Sequence, residues 1–184
     1  LQFASRKAWT AWLHKNHAES TGVWLRLARK SSPAPLLAHA DALEVALCYG
    51  WIDAQTKGES ATAWLQRFTP RAKRSIWSKI NCAKALALIE SGAMHPAGQL
   101  EVERAQADGR WDAAYDSHRT AAVPGDLQQA LDASAKAQAF FATLNSTNRY
   151  AILWRLQTTK TAAARARKII QFVEMLERGE KFHP

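Results

Sequence analysis

What this chain lacks narrows its possibilities quickly. It has two cysteines in 184 residues, Cys48 and Cys82, far apart and each within an apolar, helix-like segment. That excludes a disulfide framework, and no CxxC pair or Cys/His spacing suggests zinc. Both are expected as free, buried thiols in a reducing compartment. No apolar run approaches the ~18 residues that a bilayer span needs. No stretch has the charged and apolar regions of a signal peptide, so a cytoplasmic location is the expectation. Walker-type GxxxxGK[ST], GxGxxG and GxSxG patterns are all missing, so a nucleotide cradle and a serine-hydrolase elbow lack motif support. Internal repeats and low-complexity tracts are also missing. Finally, no acidic residue occurs from Ser60 to Ile89.

What is present is an ordinary globular composition, 47% apolar and 22% charged, with a formal net charge of +9. A chain of this length buries a real core. The positive balance points to anionic partners: nucleic acid, phosphorylated ligands or acidic membrane surfaces.

Periodicity sorts the chain into an α+β fold. A first helix, capped by Ser5, is expected to about His17, followed by a strand at Val23–Arg29 whose Val23, Leu25 and Leu27 share one face. Ser31 to Leu36, with Pro33 and Pro35, reads as a loop. Asp41 and Glu44 have capping-box spacing and open a helix that Gly50 closes. Two strands, Trp51–Lys57 and Thr62–Thr69, flank a turn at Gly58-Glu59-Ser60, and Pro70 stops the second. Ser75 is expected to start a helix carrying Ile76, Ile80, Ala83 and Ala87 along one side, ended by Gly92. Pro96 suits the first position of the next helix, which runs to Gly109. After Trp111 strand signals cease, and helices are expected at Leu127–Ala133, Lys136–Leu144, Thr147–Thr158 and Thr161–Arg178. The domain reading is therefore 1–116, a small antiparallel sheet packed by helices, and 117–184, all helical.

The densest chemistry lies between Cys48 and Asn81, which holds three of the eight Trp residues and, after Thr62, five Lys or Arg. Alternation puts Trp51 and Asp53 on one strand face, a carboxylate beside an aromatic platform. Its structural alternative is a buried Asp53 paired with Arg71 or Arg74. Arg71, Lys73, Arg74 and Lys79 surround Ser75. With a helix expected to start at Ser75, its free amides, its positive dipole end and those cations make an anion site. Trp51, Asp53, Arg71, Arg74, Ser75, Trp77 and Asn81 are thus the candidate ligand-binding residues, the alternative being a solvated basic turn. His14 and His17 are read as a surface pair rather than metal ligands. A second acid-free block, Ala133 to Val173, carries Lys136, Arg149, Arg155, Lys160, Arg165, Arg167 and Lys168. It suits an anionic surface, or a helix that packs its apolar side and leaves its cations in water. No catalytic constellation is recognisable, and no cofactor or metal is expected.

The run Ala46-Leu47-Cys48-Tyr49-Gly50-Trp51-Ile52-Asp53 resembles the bacterial YdeI/OmpD-associated family, the bacteriocin-protection proteins. So do Phe68-Thr69-Pro70-Arg71, Ser75 to Asn81, Gly92-Ala93-Met94, Pro96-Ala97-Gly98, Asp108 to Asp112, Val123-Pro124 and the basic C-terminal helix. The resemblance covers nearly the whole chain, although Ala54 stands where the family often has Gly. It implies a link to survival against antimicrobial peptides and to an outer-membrane porin, and no established catalytic activity. The sequence is accordingly read first as a non-enzymatic module for an anionic partner, nucleic acid or a phosphorylated ligand. The alternative is an enzyme or sensor for an anionic metabolite near Asp53, Arg71 and Ser75. Direct capture of cationic peptides by a +9 protein is disfavoured by repulsion.

Overall fold

Residues 1–29 and 36–184 are described by a computed structural model; the loop read at Ser31 to Leu36 falls outside them except for Leu36. The chain divides into two compact units, Leu1–Ala114 and Tyr115–Pro184.

In the first unit, α1 (Arg6–Asn16) begins where the Ser5 hydroxyl accepts the Ala8 amide, and buries Trp9 and Leu13. Strand β1 (Val23–Ala28) follows, with Leu25 and Leu27 pointing inward. Helix α2 (His39–Cys48) is almost wholly buried along one side. Strands β2 (Trp51–Gly58) and β3 (Ala63–Pro70) complete an antiparallel sheet in the order β1-β3-β2, with Val23 opposite Phe68 and Trp51 opposite Pro70. The expected α+β architecture is present.

Aromatic rings fill the space between α1 and the sheet. Trp9 stacks on Trp12 at 5.3 Å between centroids and meets Trp51 edge-on and Phe68 at a tilt. Burying indoles requires acceptors for their N–H groups, and both are supplied: Trp9 donates to the Ala42 carbonyl and Trp51 to that of His17. The register of β2 slips between Asp53 and Thr56. The buried amide of Gln66 donates to the Gln55 carbonyl within that irregularity, and to that of Arg67. Ala54 lies at this bulge, and no non-glycine residue among those described has a positive φ, so the position does not demand glycine.

Helix α3 (Lys79–Glu90) packs on α2, and α4 (Pro96–Ala107) crosses the end of α2. That crossing depends on two glycines. Gly50 turns the chain at φ +72, and any Cβ on Gly98 would collide with the carbonyl oxygens of Cys48 and Leu47.

Two local expectations are corrected. Asp41 and Glu44 do not form a capping box. The helix is entered three residues earlier, with Ala38 at the N-cap position, and both carboxylates accept from Arg6 Nη1 at 2.8 Å. Ser75 does not start a helix either. Its hydroxyl accepts the Ala72 amide, closing a turn, and α3 begins after Ser78, whose hydroxyl accepts from Asn81. Helix α3 buries Cys82 and Ala85, and the Ile80, Ala83, Ala87 row is exposed.

The second unit consists of α5 (Gly125–Asp132), α6 (Ala135–Thr143), α7 (Ser146–Gln157) and α8 (Ala162–Glu177). Ser134, Asn145 and Thr161 cap the last three in turn. Leu127, Leu131, Phe141, Ile152, Leu156, Ile169, Phe172 and Leu176 form its core. Buried Asn148 accepts from the His183 amide and donates to the His183 carbonyl, tying the C-terminal tail to α7.

Candidate functional site

The structure gives the seven candidate residues different surroundings. They fall into three local settings, each explained by its neighbours.

Arg71 and Trp77 are brought together. The connection between β3 and α3 curls so that the Arg71 guanidinium carbon lies 3.5 Å from the centre of the Trp77 ring. Its Nη1 donates to the Ile76 carbonyl at 3.3 Å, and the Arg71 backbone amide donates to Gly50. Trp77 in turn meets Trp111 at 5.0 Å. Arg110 reaches the same connection: its Nη1 donates to the Ser75 carbonyl, while Asp108 holds its Nε. Arg71 is only 7% exposed. It acts as an internal brace for residues 71–78, a planar cation stacked on an indole with a carbonyl at its edge. The same guanidinium lies near enough to Cys82 to oppose the burial that pushes its thiol up. Both cysteines are free and buried, and burial raises both, so neither is held as a reactive thiolate.

Trp51 and Asp53 share a strand face, as alternation requires, but their surroundings differ. Trp51 is core. The Asp53 carboxylate takes His39 Nε2 at 3.1 Å, with both side chains about one-third exposed. His39 lies against Trp64 and Phe68. A cavity of about 420 Å³ is lined by Ala28, Arg29, Ala38, His39 and Trp64. The sequence reading missed His39, because its link to Asp53 arises only when β2 folds back along α2. An Asp close after a helix–glycine–strand return is the available signal.

Arg74 is exposed, as are Lys73 and Lys79, and Asn81 lies half-buried in the first turn of α3. Ser75 contributes a turn and a carbonyl. The expected anion pocket at a helix start on Ser75 is therefore replaced by an exposed cationic turn above a buried Arg–Trp brace. Base stacking also loses most of its platforms. Trp9, Trp51 and Trp77 are core, and among the described residues only Trp24, 38% accessible, counts as an exposed Trp.

The histidine pair gains a third member. His95, the N-cap of α4, lies 5.0 Å from His17 and 6.2 Å from His14, and stacks on Tyr49 at 4.6 Å between ring centres. Its Nδ1 accepts the Ala97 amide, a role open only to the unprotonated nitrogen. Burial, then the neighbouring His17 and His14, holds its pKa below the usual histidine value. Among the described residues no group of three His, Cys, Asp or Glu could hold a metal ion.

In the second unit, most cations of the acid-free block serve the fold. Arg149, Arg155 and Arg165 each donate to a helix carbonyl: Ala142, Ala151 and Leu156 respectively. Arg165 also grips Asp126 through two bonds, Arg155 lies over Phe182, and Lys168 holds Thr159 and the Arg155 carbonyl. Lys136, Lys160 and Arg167 remain exposed.

No helix among the described residues is long and apolar enough to cross a membrane. No curated protein and no solved structure matches the chain. Residues 120–179 match the family described as bacteriocin-protection, YdeI or OmpD-associated, which covers the helical region and its basic last helix. The motif runs from Ala46 to Gly98 lie within a second match that takes in more than half of the chain. On that match, over residues 1–101, the chain belongs to the family of a domain of unknown function (DUF8412).

Proposed function

We propose that the chain is a non-enzymatic, cytoplasmic binding module that holds an anionic partner on the β3–α3 connection of its first unit. One observation carries the reading: Lys73 and Arg74 stand exposed on a turn, with Lys79 close behind, inside a stretch from Ser60 to Ile89 that contains no acid. Adjacent exposed cations raise the local potential and favour phosphates, and Asp108, the acid that reaches this connection, is engaged by Arg110. Nucleic acid is the first candidate, through backbone phosphates rather than stacked bases, given how few indoles are accessible. The test is a salt titration of duplex and single-stranded DNA binding followed by fluorescence anisotropy. Binding that weakens linearly in log salt, with a slope lowered by about two in Lys73→Ala/Arg74→Ala, supports the reading, since each phosphate contact contributes roughly −0.9 on duplex DNA. Salt-independent binding, or none, contradicts it.

The second reading is an enzyme or sensor for a small anionic metabolite, and the His39–Asp53 pair beside its cavity favours it. A carboxylate that orients an imidazole is a standard proton-handling arrangement. An NMR screen of anionic metabolites that shifts the His39 ring signals, and loses the shift in Asp53→Asn, would support that reading. A silent screen counts against it. The family name adds a third element, an indirect link to bacteriocin protection or to a porin, for which a deletion strain's sensitivity to antimicrobial peptides is the direct check.

A further inference from the structure

The solvent side of α3 is apolar where a surface helix is normally polar. Cys82 and Ala85 face inward, leaving Ile80, Ala83, Leu86 and Ala87 along the outer face. Ile80 and Leu86 are each 50% exposed, and Ile76, in the connection just before, is 44% exposed. Large apolar side chains grouped in one short segment are more informative than the same residues scattered over a surface. Here they adjoin exposed Lys73, Arg74 and Lys79, and no acid interrupts the run before Glu90.

We propose that this face docks on an anionic lipid surface, with Ile76, Ile80 and Leu86 entering the headgroup region and Lys73, Arg74 and Lys79 against lipid phosphates. The inference rests on the anion-binding reading above and names its partner. Charge complementarity selects an anionic partner. The apolar residues select a bilayer over a duplex, because isoleucine and leucine gain nothing from a phosphate backbone but gain from leaving water at a headgroup–acyl boundary. The mixture of short apolar contacts and flanking cations is the composition that peripheral lipid binding needs, since one cation near an anionic membrane strengthens binding about fivefold.

The experiment is co-sedimentation of the whole chain with phosphatidylglycerol-containing vesicles, against pure phosphatidylcholine vesicles and a duplex DNA in parallel. Binding to the anionic vesicles, and none to the pure phosphatidylcholine vesicles, is expected. Lys73→Ala/Arg74→Ala should lower that affinity about 25-fold, at fivefold per charge. Ile76→Ser/Ile80→Ser should lower vesicle affinity by about tenfold or more while leaving DNA binding unchanged. These isoleucines are half exposed, so both double variants should melt as the parent does; Leu86→Ser on α3 serves as an independent second variant. DNA binding without vesicle binding overturns the lipid inference and leaves the anion-binding reading standing. Binding to neither overturns both. Vesicle binding indifferent to Ile76, Ile80 and Leu86 overturns the inference as well, because the apolar face would then play no part.

Discussion

Arg71 illustrates how a residue's chemistry can be legible while its role is not. A cation after a strand-ending proline looks like a ligand hook, and only the fold reveals that its guanidinium lies on Trp77 and bonds the Ile76 carbonyl. Truncation removes a desolvated cation–π contact and strips a donor from that carbonyl, so Arg71→Ala should cost about 2–4 kcal/mol. Arg71→Lys should recover less than half of that, because an ammonium cannot stack as a planar fork. Urea melts measure both. A loss below ~1 kcal/mol would return Arg71 to the list of solvent-facing cations. His95 makes a second prediction at this scale. Its folded pKa lies below the unfolded value of about 6.5, so its share of stability is fully present above that value. That share is lost as pH falls through the folded pKa and the ring must give up the Ala97 amide. His14 and His17 from α1 and Tyr49 at the end of α2 face the same ring. The melting temperature should therefore fall from about pH 7 to pH 5, and His95→Asn, a cap that takes no proton, should flatten the slope. Glu44 and Asp126, lowered chiefly by hydrogen bonds from Arg6 and Arg165, act in a separate window below about pH 4. An unchanged slope in His95→Asn would refute this account of the cap.

At the scale of elements, the sequence reading started helix α3 at Ser75. Ser78 caps in the structure, and α3 packs through Cys82 and Ala85 with Ile80 facing outward. Ser78→Ala should cost about 1 kcal/mol and Ser75→Ala about half of that, which reverses if the helix begins at Ser75. Gly98 supplies a sharper test. Its neighbours are backbone carbonyls that cannot rotate away, so Gly98→Ala should destabilise by about 1–3 kcal/mol by prising α4 from α2. The strands and the helices of the second unit were readable to within a residue or two, because alternation, Ser/Asn/Thr caps and terminal glycines act locally. The candidate site was readable only in part. Exposure of Lys73 and Arg74 follows from a polar turn after Pro70. The His39–Asp53 and His95–His17 contacts join segments that only tertiary packing brings together, and the Asp41–Glu44 box gave way to a nearby arginine that no local rule anticipates.

For the whole molecule, a net charge of +9 overstates what is available to a partner. In the second unit Arg149, Arg155, Arg165 and Lys168 are committed to carbonyls, a hydroxyl or a carboxylate, so a basic stretch in sequence becomes internal bracing in the fold. Of the exposed cations without nearby acid in sequence, Lys73 and Arg74 stand side by side on the turn before α3, whereas Lys136, Lys160 and Arg167 are spread over the second unit. The account therefore separates two neighbours: Arg71 holds the connection, and Lys73 with Arg74 serves the partner. The most direct measurement is a side-by-side comparison of Lys73→Glu/Arg74→Glu with Arg71→Ala, reading anion affinity by anisotropy on duplex DNA and on labelled anionic vesicles, and stability by urea melts. The account predicts that the double charge reversal abolishes binding to whichever surface the parent holds while moving stability by less than ~0.5 kcal/mol. Arg71→Ala should do the opposite, losing stability and retaining affinity per folded molecule. Binding that survives the charge reversal, or that Arg71→Ala removes without loss of stability, would contradict it.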